Sequence, residues 1–268
     1  MYLIEFFGAK VKPRITRGKG MWKPLETGWL NEDILAIRDK DVNCFLIRGT
    51  DGFIAIDSGY KNSKSVRGAL QKHGIVPTSV KAVLLTHLDI DHAGGMDTDS
   101  EVVFPNAQVY LSREEQKYLT GEYFRKKIAF YQCKLPIKLS SKAEAIDFGD
   151  RLRMDGVEIE TVAAVGHTLG HTAYLVSNKY FFTGDCLIVG KNGGYCFYDF
   201  WNADSEKNIH SLEALERFCG ERNIREVITS HSGMVRTEDA FLHYKESPKW
   251  KEKGFHFIDG TEDDPYNS

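Results

Sequence analysis

LLTHLDIDHAGG, residues 84–95, places His87, Asp89, Asp91 and His92 within six positions, directly after the apolar run KAVLLT (81–86). A short apolar run bounded by turn residues reads as a buried strand. The four polar side chains therefore leave the end of a strand together. At such a junction alternate residues can converge on one point, and the loop can turn the fourth inward. Imidazole and carboxylate together suit zinc, iron, manganese or nickel. Gly94 and Gly95 permit tight turning of the backbone beside such a site. The plainer alternative is a charged surface loop, but two histidines and two aspartates abutting LLT are an odd way to leave a strand.

The same context recurs downstream. AAVGHTLGHT (163–172) sets His167 and His171 in a glycine-rich turn, FFTGDCL (181–187) ends an apolar run on Asp185, and VITSHSG (227–233) ends another on His231. A lone aspartate or histidine at a strand end usually caps a helix or closes a turn. Three such ends, all following HxDxDH, point to one shared site.

Between these ends the pattern predicts strands at 42–49, 52–59, 81–86, 107–112, 157–166, 172–178, 179–185 and 226–231. Helical spacing predicts a helix over 63–73 capped by Ser63, with Val66, Ala69 and Leu70 on one face. REEQKYL (113–119) reads as a second helix. SEKNIHSLEALERFCGER (205–222) is the clearest amphipathic one, with Ile209, Leu212, Leu215, Glu216 and Cys219 near one stripe. TEDAFLHYKES (237–247) reads as a final helix. The stretch 120–145 weakens into an inserted helical or looped segment. MYLIEFFGAKVKPR at the start reads as a strand and not a signal peptide, and the tail TEDDPYNS as loosely packed. Strands with helices interspersed predict a two-sheet core covered by helices.

The 268 residues carry 42% apolar side chains, 27% charged ones and a net charge of −3. That balance offers no basic face for nucleic acid, and the local run Arg125-Lys126-Lys127 reads as a solvated helix face. No apolar stretch approaches the roughly 18 residues of a membrane span. Cys44, Cys133, Cys186, Cys196 and Cys219 are odd in number and form no CxxC pair. A disulfide scaffold is not expected, and a reducing, cytoplasmic setting is. Cys186, beside Asp185, is either a reactive thiol or a small buried hydrophobe.

The ordered set His87, Asp89, Asp91, His92, His167, Asp185, His231 resembles the metallo-β-lactamase superfamily, whose pattern is HxHxDH, a histidine in a glycine-rich turn, a bridging aspartate and a last histidine. IAIDSG (54–59) resembles that family's strand-ending Asp-Thr-Gly turn, with Ser58 in place of threonine. The likeness runs from about Asp41 to Ser232. It implies an α/β architecture, a four-layer αββα sandwich in one domain spanning 1–268, with an N-terminal extension over about 1–40 and an insertion over about 113–145. It also implies two divalent metal ions. One would take His87, position 89 and His167, the other Asp91, His92 and His231, with Asp185 bridging. A hydroxide between them is a nucleophile at neutral pH, and Asp91 would be the catalytic residue that orients it.

Position 89 departs from the family, where histidine is usual. In one reading Asp89 is itself a ligand, the centre is less positive, and manganese or iron gains on zinc. In another Asp89 does not ligate, and the enzyme runs on one metal. In the third the centre is a di-iron redox site that handles oxygen or nitric oxide, since flavodiiron proteins carry an acidic residue there. GHTLGHT, however, is similar to the turn of glyoxalase II thioesterases and quorum-quenching lactonases. Hydrolysis of a small ester, lactone or thioester, with zinc, is therefore the expectation, ahead of redox or phosphodiesterase chemistry.

Glyoxalase II enzymes add a helical C-terminal domain for glutathione, for which the stretch after His231 is short. Lactonases usually carry a tyrosine three positions after the bridging aspartate, where this sequence has Ile188. Tyr195 or Tyr198, in GGYCFYDFW, are candidates for that substrate contact. His171 is another candidate, as a donor to substrate, a brace for His167 or a turn residue. A small-molecule substrate is expected, without nucleic acid or membrane. Dimers are common among similar proteins, which makes a homodimer an expectation by analogy.

Overall fold

The computed structural model describes residues 22–128, 131–140, 143–190 and 192–248. The expected N-terminal strand and the acidic tail lie outside them. Strands β1 (Gly28–Trp29), β2 (Ile34–Asp39), β3 (Val42–Arg48) and β4 (Phe53–Ile56) form an antiparallel meander. Helix α1 (Lys64–Lys72) then crosses to β5 (Val80–Leu84), which runs parallel to β4. Strand β6 (Gln108–Ser112) follows, then helix α2 (Arg113–Thr120), a hairpin of β7 (Lys126–Ile128) and β8 (Tyr131–Cys133), and β9 (Glu144–Ile146). The first sheet has the order β1-β2-β3-β4-β5-β6-β9.

The second sheet uses β10 (Arg151–Met154), β11 (Val157–Ala163), β12 (Thr172–Val176), β13 (Tyr180–Gly184), β16 (Glu226–Thr229) and β17 (Met234–Arg236), in that order. Between β13 and β16 lie the hairpin β14 (Leu187–Gly190) with β15 (Gly193–Cys196), and helix α3 (Ser205–Glu221); a single turn, α4 (Thr237–Ala240), ends the described elements.

Alternation along the strands builds the layers, because successive side chains point to opposite faces. Ile34 and Ala36 of β2 join Phe45, Ile47, Ile54 and Ile56 against Ile159, Tyr174, Phe182 and Ile228 of the second sheet. Their neighbours Leu35 and Ile37 face the other way, into a cluster with Val66, Ala69 and Leu70 of α1. The outer face of the second sheet packs Ala173, Leu175 and Phe181 on Leu212, Leu215 and Cys219 of α3. The result is the expected αββα sandwich. Phe182 is 1% exposed and meets Phe45 edge-on at 5.1 Å between ring centroids, across the two sheets. Phe182→Ala should cost about 3–5 kcal/mol in denaturant unfolding. A loss below about 1 kcal/mol would mean that the sheets close over the gap.

Strand direction places the site. β11 and β13 both run antiparallel to β12, and β16 runs parallel to β13. The C-terminal ends of β11, β13 and β16 therefore share one edge, and they carry His167, Asp185 and His231. The loop after β5 is tied to the same edge. The Thr172 amide donates to the Thr86 carbonyl at 2.9 Å, and the Tyr174 hydroxyl donates to the Leu85 carbonyl at 2.7 Å.

Several expectations change. Residues 28–39, assigned to an extension, supply two strands of the first sheet, and β2 pairs with β3 from Ile34↔Ile47 to Asp39↔Val42. The segment after α2, expected to be helical or looped, contains a strand hairpin. The final helix stops at Ala240 because the next residues bond elsewhere: the His243 amide donates to the Gly194 carbonyl at 2.9 Å, and the Cys196 amide to the Glu246 carbonyl at 3.0 Å. On α3, Glu216 is exposed and the buried stripe is completed by Asn208 and Ser211. Ser63 caps α1 as expected, accepting from the Val66 amide at 3.1 Å. All five cysteines are free thiols. Among the described residues no helix is long and apolar enough to cross a membrane.

Candidate metal centre

The loop after β5 is held by packing too close for side chains. A Cβ on Gly95 would lie 2.3 Å from the Ser58 carbonyl oxygen, so this glycine lets the loop lie flat on residues 58–61. The Ser58 amide and hydroxyl both donate to the His92 carbonyl, at 2.7 and 2.8 Å. On the far side, Glu115 of α2 is fully buried and accepts from the Leu88 amide at 2.9 Å, the Thr168 hydroxyl at 2.7 Å and the Gly170 amide at 3.1 Å. One carboxylate thus joins the HxDxDH loop to the GHTLGHT turn. Burial pushes its carboxyl up to about 7, against the donors that hold it down.

Each of four histidines has its Nδ1 tied to an oxygen. His92 Nδ1 lies 2.8 Å from Asp57 Oδ2. His87 Nδ1 lies 2.9 Å from the Thr86 hydroxyl, which itself donates to Asp57 at 2.8 Å. His167 Nδ1 lies 3.2 Å from Asn202 Oδ1, and His231 Nδ1 donates to the Asp41 carbonyl. A histidine that donates through Nδ1 presents the lone pair of Nε2, which is the form a metal takes.

The Nε2 atoms converge with the carboxylates. Asp91, His92, Asp185 and His231, all buried, bring one ligand atom each within 4.8 Å of one another; His87, His167 and Asp185 form a second such group. In the first group His92 Nε2 is 3.3 Å from Asp185 Oδ1, and His231 Nε2 is 3.1 Å from Asp185 Oδ2 and 3.4 Å from Asp91 Oδ2. These spacings match the roughly 3.4 Å edge of a tetrahedron of ligands about 2.1 Å from an ion. His92 Nε2 and Asp185 Oδ1 are buried and have no hydrogen-bond partner among the described residues. A donor set of two imidazoles and two carboxylates, with two of its ligand atoms unsatisfied, fits a divalent metal ion. Burial opposes a charged His92, but Asp185, Asp57 and Asp91 outweigh it and raise its pKa well above the ordinary value. A metal at Nε2 would displace any proton held there.

Asp89 stands apart from both groups. Its two oxygens each receive a 2.7 Å bond from Arg125, through Nε and Nη2, while Oδ2 also lies 3.2 Å from His167 Nε2 and 3.6 Å from His87 Nε2. Burial would raise its carboxyl, but the Arg125 guanidinium holds it well below the usual carboxylate range. Arg125 is therefore no solvated helix residue. It is 4% exposed, lies just before β7, and reaches His167 Nε2 at 3.1 Å. Burial, then the Arg125 charge, pull the His167 pKa down to about 3.

The remaining candidates fall around this centre. His171 is fully buried, and its Nε2 accepts from the Asp185 amide at 3.0 Å, so it braces the backbone of the shared carboxylate. Burial and the neighbouring rings of His87 and His167 keep it neutral, with a pKa well below normal. Tyr195 stacks on His243 at 5.0 Å and Tyr198 on Trp22 at 6.0 Å. The aromatic rings that touch the ligands are Phe197, 4.7 Å from His167, and Trp22, 4.1 Å from His231. Cys186 is buried and its thiol is pushed up by burial. Sequence reasoning missed Arg125, Glu115, Asn202 and Phe197, and took Asp57 for a turn marker without its bond to His92.

The model of the metallo-beta-lactamase superfamily matches residues 37–231, most of the chain. The chain belongs to that superfamily. Metallo-beta-lactamase folds also account for its structural neighbours. A beta-lactamase from Chitinophaga pinensis superposes with a TM-score of 0.59 at 16% identity, covering 79% of this chain and 80% of that one. A metallo-beta-lactamase family protein from Thermus thermophilus gives 0.55 at 20% identity, covering 78% of each. In sequence, a hydroxyacylglutathione hydrolase from Xanthomonas euvesicatoria is 29% identical over 143 residues, 53% of this chain and 45% of its own length. One from Yersinia pestis is 31% identical over 135 residues, 50% and 42%. The chain thus matches less than half the length of these two relatives.

Proposed function

We propose that this chain is a metal-dependent hydrolase of small acyl thioesters, with zinc as the ion and esters or lactones as weaker substrates. The observation that carries the reading is the set of Asp91, His92, Asp185 and His231, whose ligand atoms face one another at 3.1–3.6 Å with two of them unsatisfied. The thioester preference rests on the relatives named as hydroxyacylglutathione hydrolases. The matched stretch is under half of those relatives, so the bond class is carried over and the thiol is left open.

A divalent ion held by this set would lower the pKa of water toward neutrality and polarise a carbonyl oxygen. The chain's own residues do the rest. Asp57 fixes the tautomer of His92, and the Asp41 carbonyl fixes that of His231. His171 holds the Asp185 backbone in register. Asp91, buried 3.6 Å from His92 Nε2 and 3.4 Å from His231 Nε2, would orient an attacking water and accept its proton. Phe197 and Trp22 cover ligand rings and exclude bulk water, which strengthens the electrostatics inside.

The test is a panel of a 2-hydroxyacyl thioester of glutathione, an acyl thioester of a smaller thiol, an aryl ester and a lactone, assayed with zinc-loaded and chelator-treated protein. Thioester hydrolysis should dominate, vanish on chelation and return with zinc. Zinc-loaded protein that cleaves none of the four would sink the reading.

A further inference from the structure

The second ligand group already contains a cation. Arg125 is anchored by its backbone, whose amide donates to the Cys133 carbonyl at 2.9 Å, so the inserted hairpin delivers the side chain inward. Its Nε and Nη2 grip Asp89 at 2.7 Å each, and Nη2 lies 3.1 Å from His167 Nε2. Because His167 Nδ1 faces the Asn202 Oδ1 acceptor at 3.2 Å, Nε2 is the lone-pair nitrogen, and Arg125 donates to it. Of the second group's ligand atoms, His167 Nε2 is therefore engaged, and so are both oxygens of Asp89, while His87 Nε2 has no hydrogen-bond partner among the described residues. A guanidinium does not give up its proton inside a protein, so burial leaves the charge in place.

We propose that Arg125 takes the place of one of the two metal ions expected here, so that this chain works with a single tightly held ion at Asp91, His92, Asp185 and His231. The proposal rests on the metal-dependent reading above and corrects its expected stoichiometry. Charge balance supports it. The carboxylates of Asp89, Asp91 and Asp185 are neutralised by one divalent ion together with the guanidinium. A second divalent ion would have to take a guanidinium within its own ligand shell, a costly arrangement away from water. The aspartate at 89 follows from the same logic. A carboxylate accepts both arms of an arginine fork, whereas the histidine usual in the family offers one lone pair and no charge.

Zinc content of the purified full-length chain, by elemental mass spectrometry after dialysis against low micromolar free zinc, tests this without reference to activity. The native chain should hold about one zinc. Arg125→Met frees Asp89 and His167 and should hold about two, with the second site at least tenfold tighter by chelator competition. The double variant Arg125→Met with Asp89→Ala should return to one. Arg125→Lys keeps the cation and should stay at one. Two tightly held ions in the native chain would overturn the proposal while leaving the hydrolase reading intact. So would an Arg125→Met chain that melts at the native temperature and still holds one. If Arg125→Met does not fold, Arg125→Gln replaces it with the same expected gain, and the native count decides independently. A native chain without zinc would overturn the metal-dependent reading itself.

Discussion

Asp185→Asn should abolish tight zinc binding and lower kcat/KM for the proposed thioester substrate by about three orders of magnitude. The expectation follows from where Asp185 stands. It belongs to both ligand groups, with Oδ1 at 3.3 Å from His92 Nε2 and Oδ2 at 3.1 Å from His231 Nε2. Asparagine keeps the shape but removes the charge and turns an N–H₂ donor toward imidazole lone pairs. A bound metal contributes several kcal/mol of transition-state stabilisation, and each 1.36 kcal/mol is about tenfold in rate. The fold should survive, because the backbone amide of residue 185 still donates to His171. Zinc content, kcat/KM and thermal melting together check this. A variant that keeps its zinc and most of its rate would show that the imidazoles and Asp91 suffice, and that Asp185 is no ligand.

The sequence made the candidate centre legible wherever a candidate ligand sits at a strand end. His87, Asp91, His92, His167, Asp185 and His231 each follow an apolar run that reads as a buried strand, and each side chain faces the cluster. Local pattern and final position agree there because strand ends are fixed by their sheet. The αββα layering was legible for the same reason, since alternation fixes which face of each strand is covered. Position 89 resisted because its partner lies 36 residues away on an inserted hairpin. Arg125 sits in a basic triplet, and nothing local marks an arginine that turns inward. The final helix failed similarly. Residues 237–247 have helical spacing, but the backbone of 243–246 bonds to β15 instead. Glu216 was placed on the α3 stripe by spacing alone, whereas Asn208, a polar residue, is buried because its amide donates to the Cys186 carbonyl. In each case a distant polar partner decided the outcome, and a single sequence does not record such partners.

Asp57→Asn should weaken zinc binding by about 10–100-fold, the range for losing an outer partner of a metal-bound histidine, while leaving the fold largely in place. Asp57 receives donors only. The Thr86 amide reaches Oδ1 at 2.8 Å, the Thr86 hydroxyl reaches Oδ2 at 2.8 Å, and His92 Nδ1 lies 2.8 Å from Oδ2. Asparagine has one acceptor oxygen. If that oxygen serves Thr86, the amide N–H₂ must face His92 Nδ1, which then becomes an acceptor and moves its proton to Nε2. The proton would occupy the atom that the metal needs, so each binding event must first reverse the tautomer. Asparagine also tolerates the left-handed backbone of this residue, φ +58°, which is why the fold persists. Asp57→Ala separates the two roles. It leaves the Thr86 and His92 donors buried without a partner, at about 1–3 kcal/mol for each unsatisfied group, and forces alanine into the left-handed region. It should therefore lose both melting temperature and zinc affinity. Chelator competition and thermal unfolding of the two variants side by side decide the matter. Native zinc affinity in Asp57→Asn would reduce Asp57 to a brace for the loop, and the histidine orientation would then have to come from His92's own backbone position and its contact with Asp185.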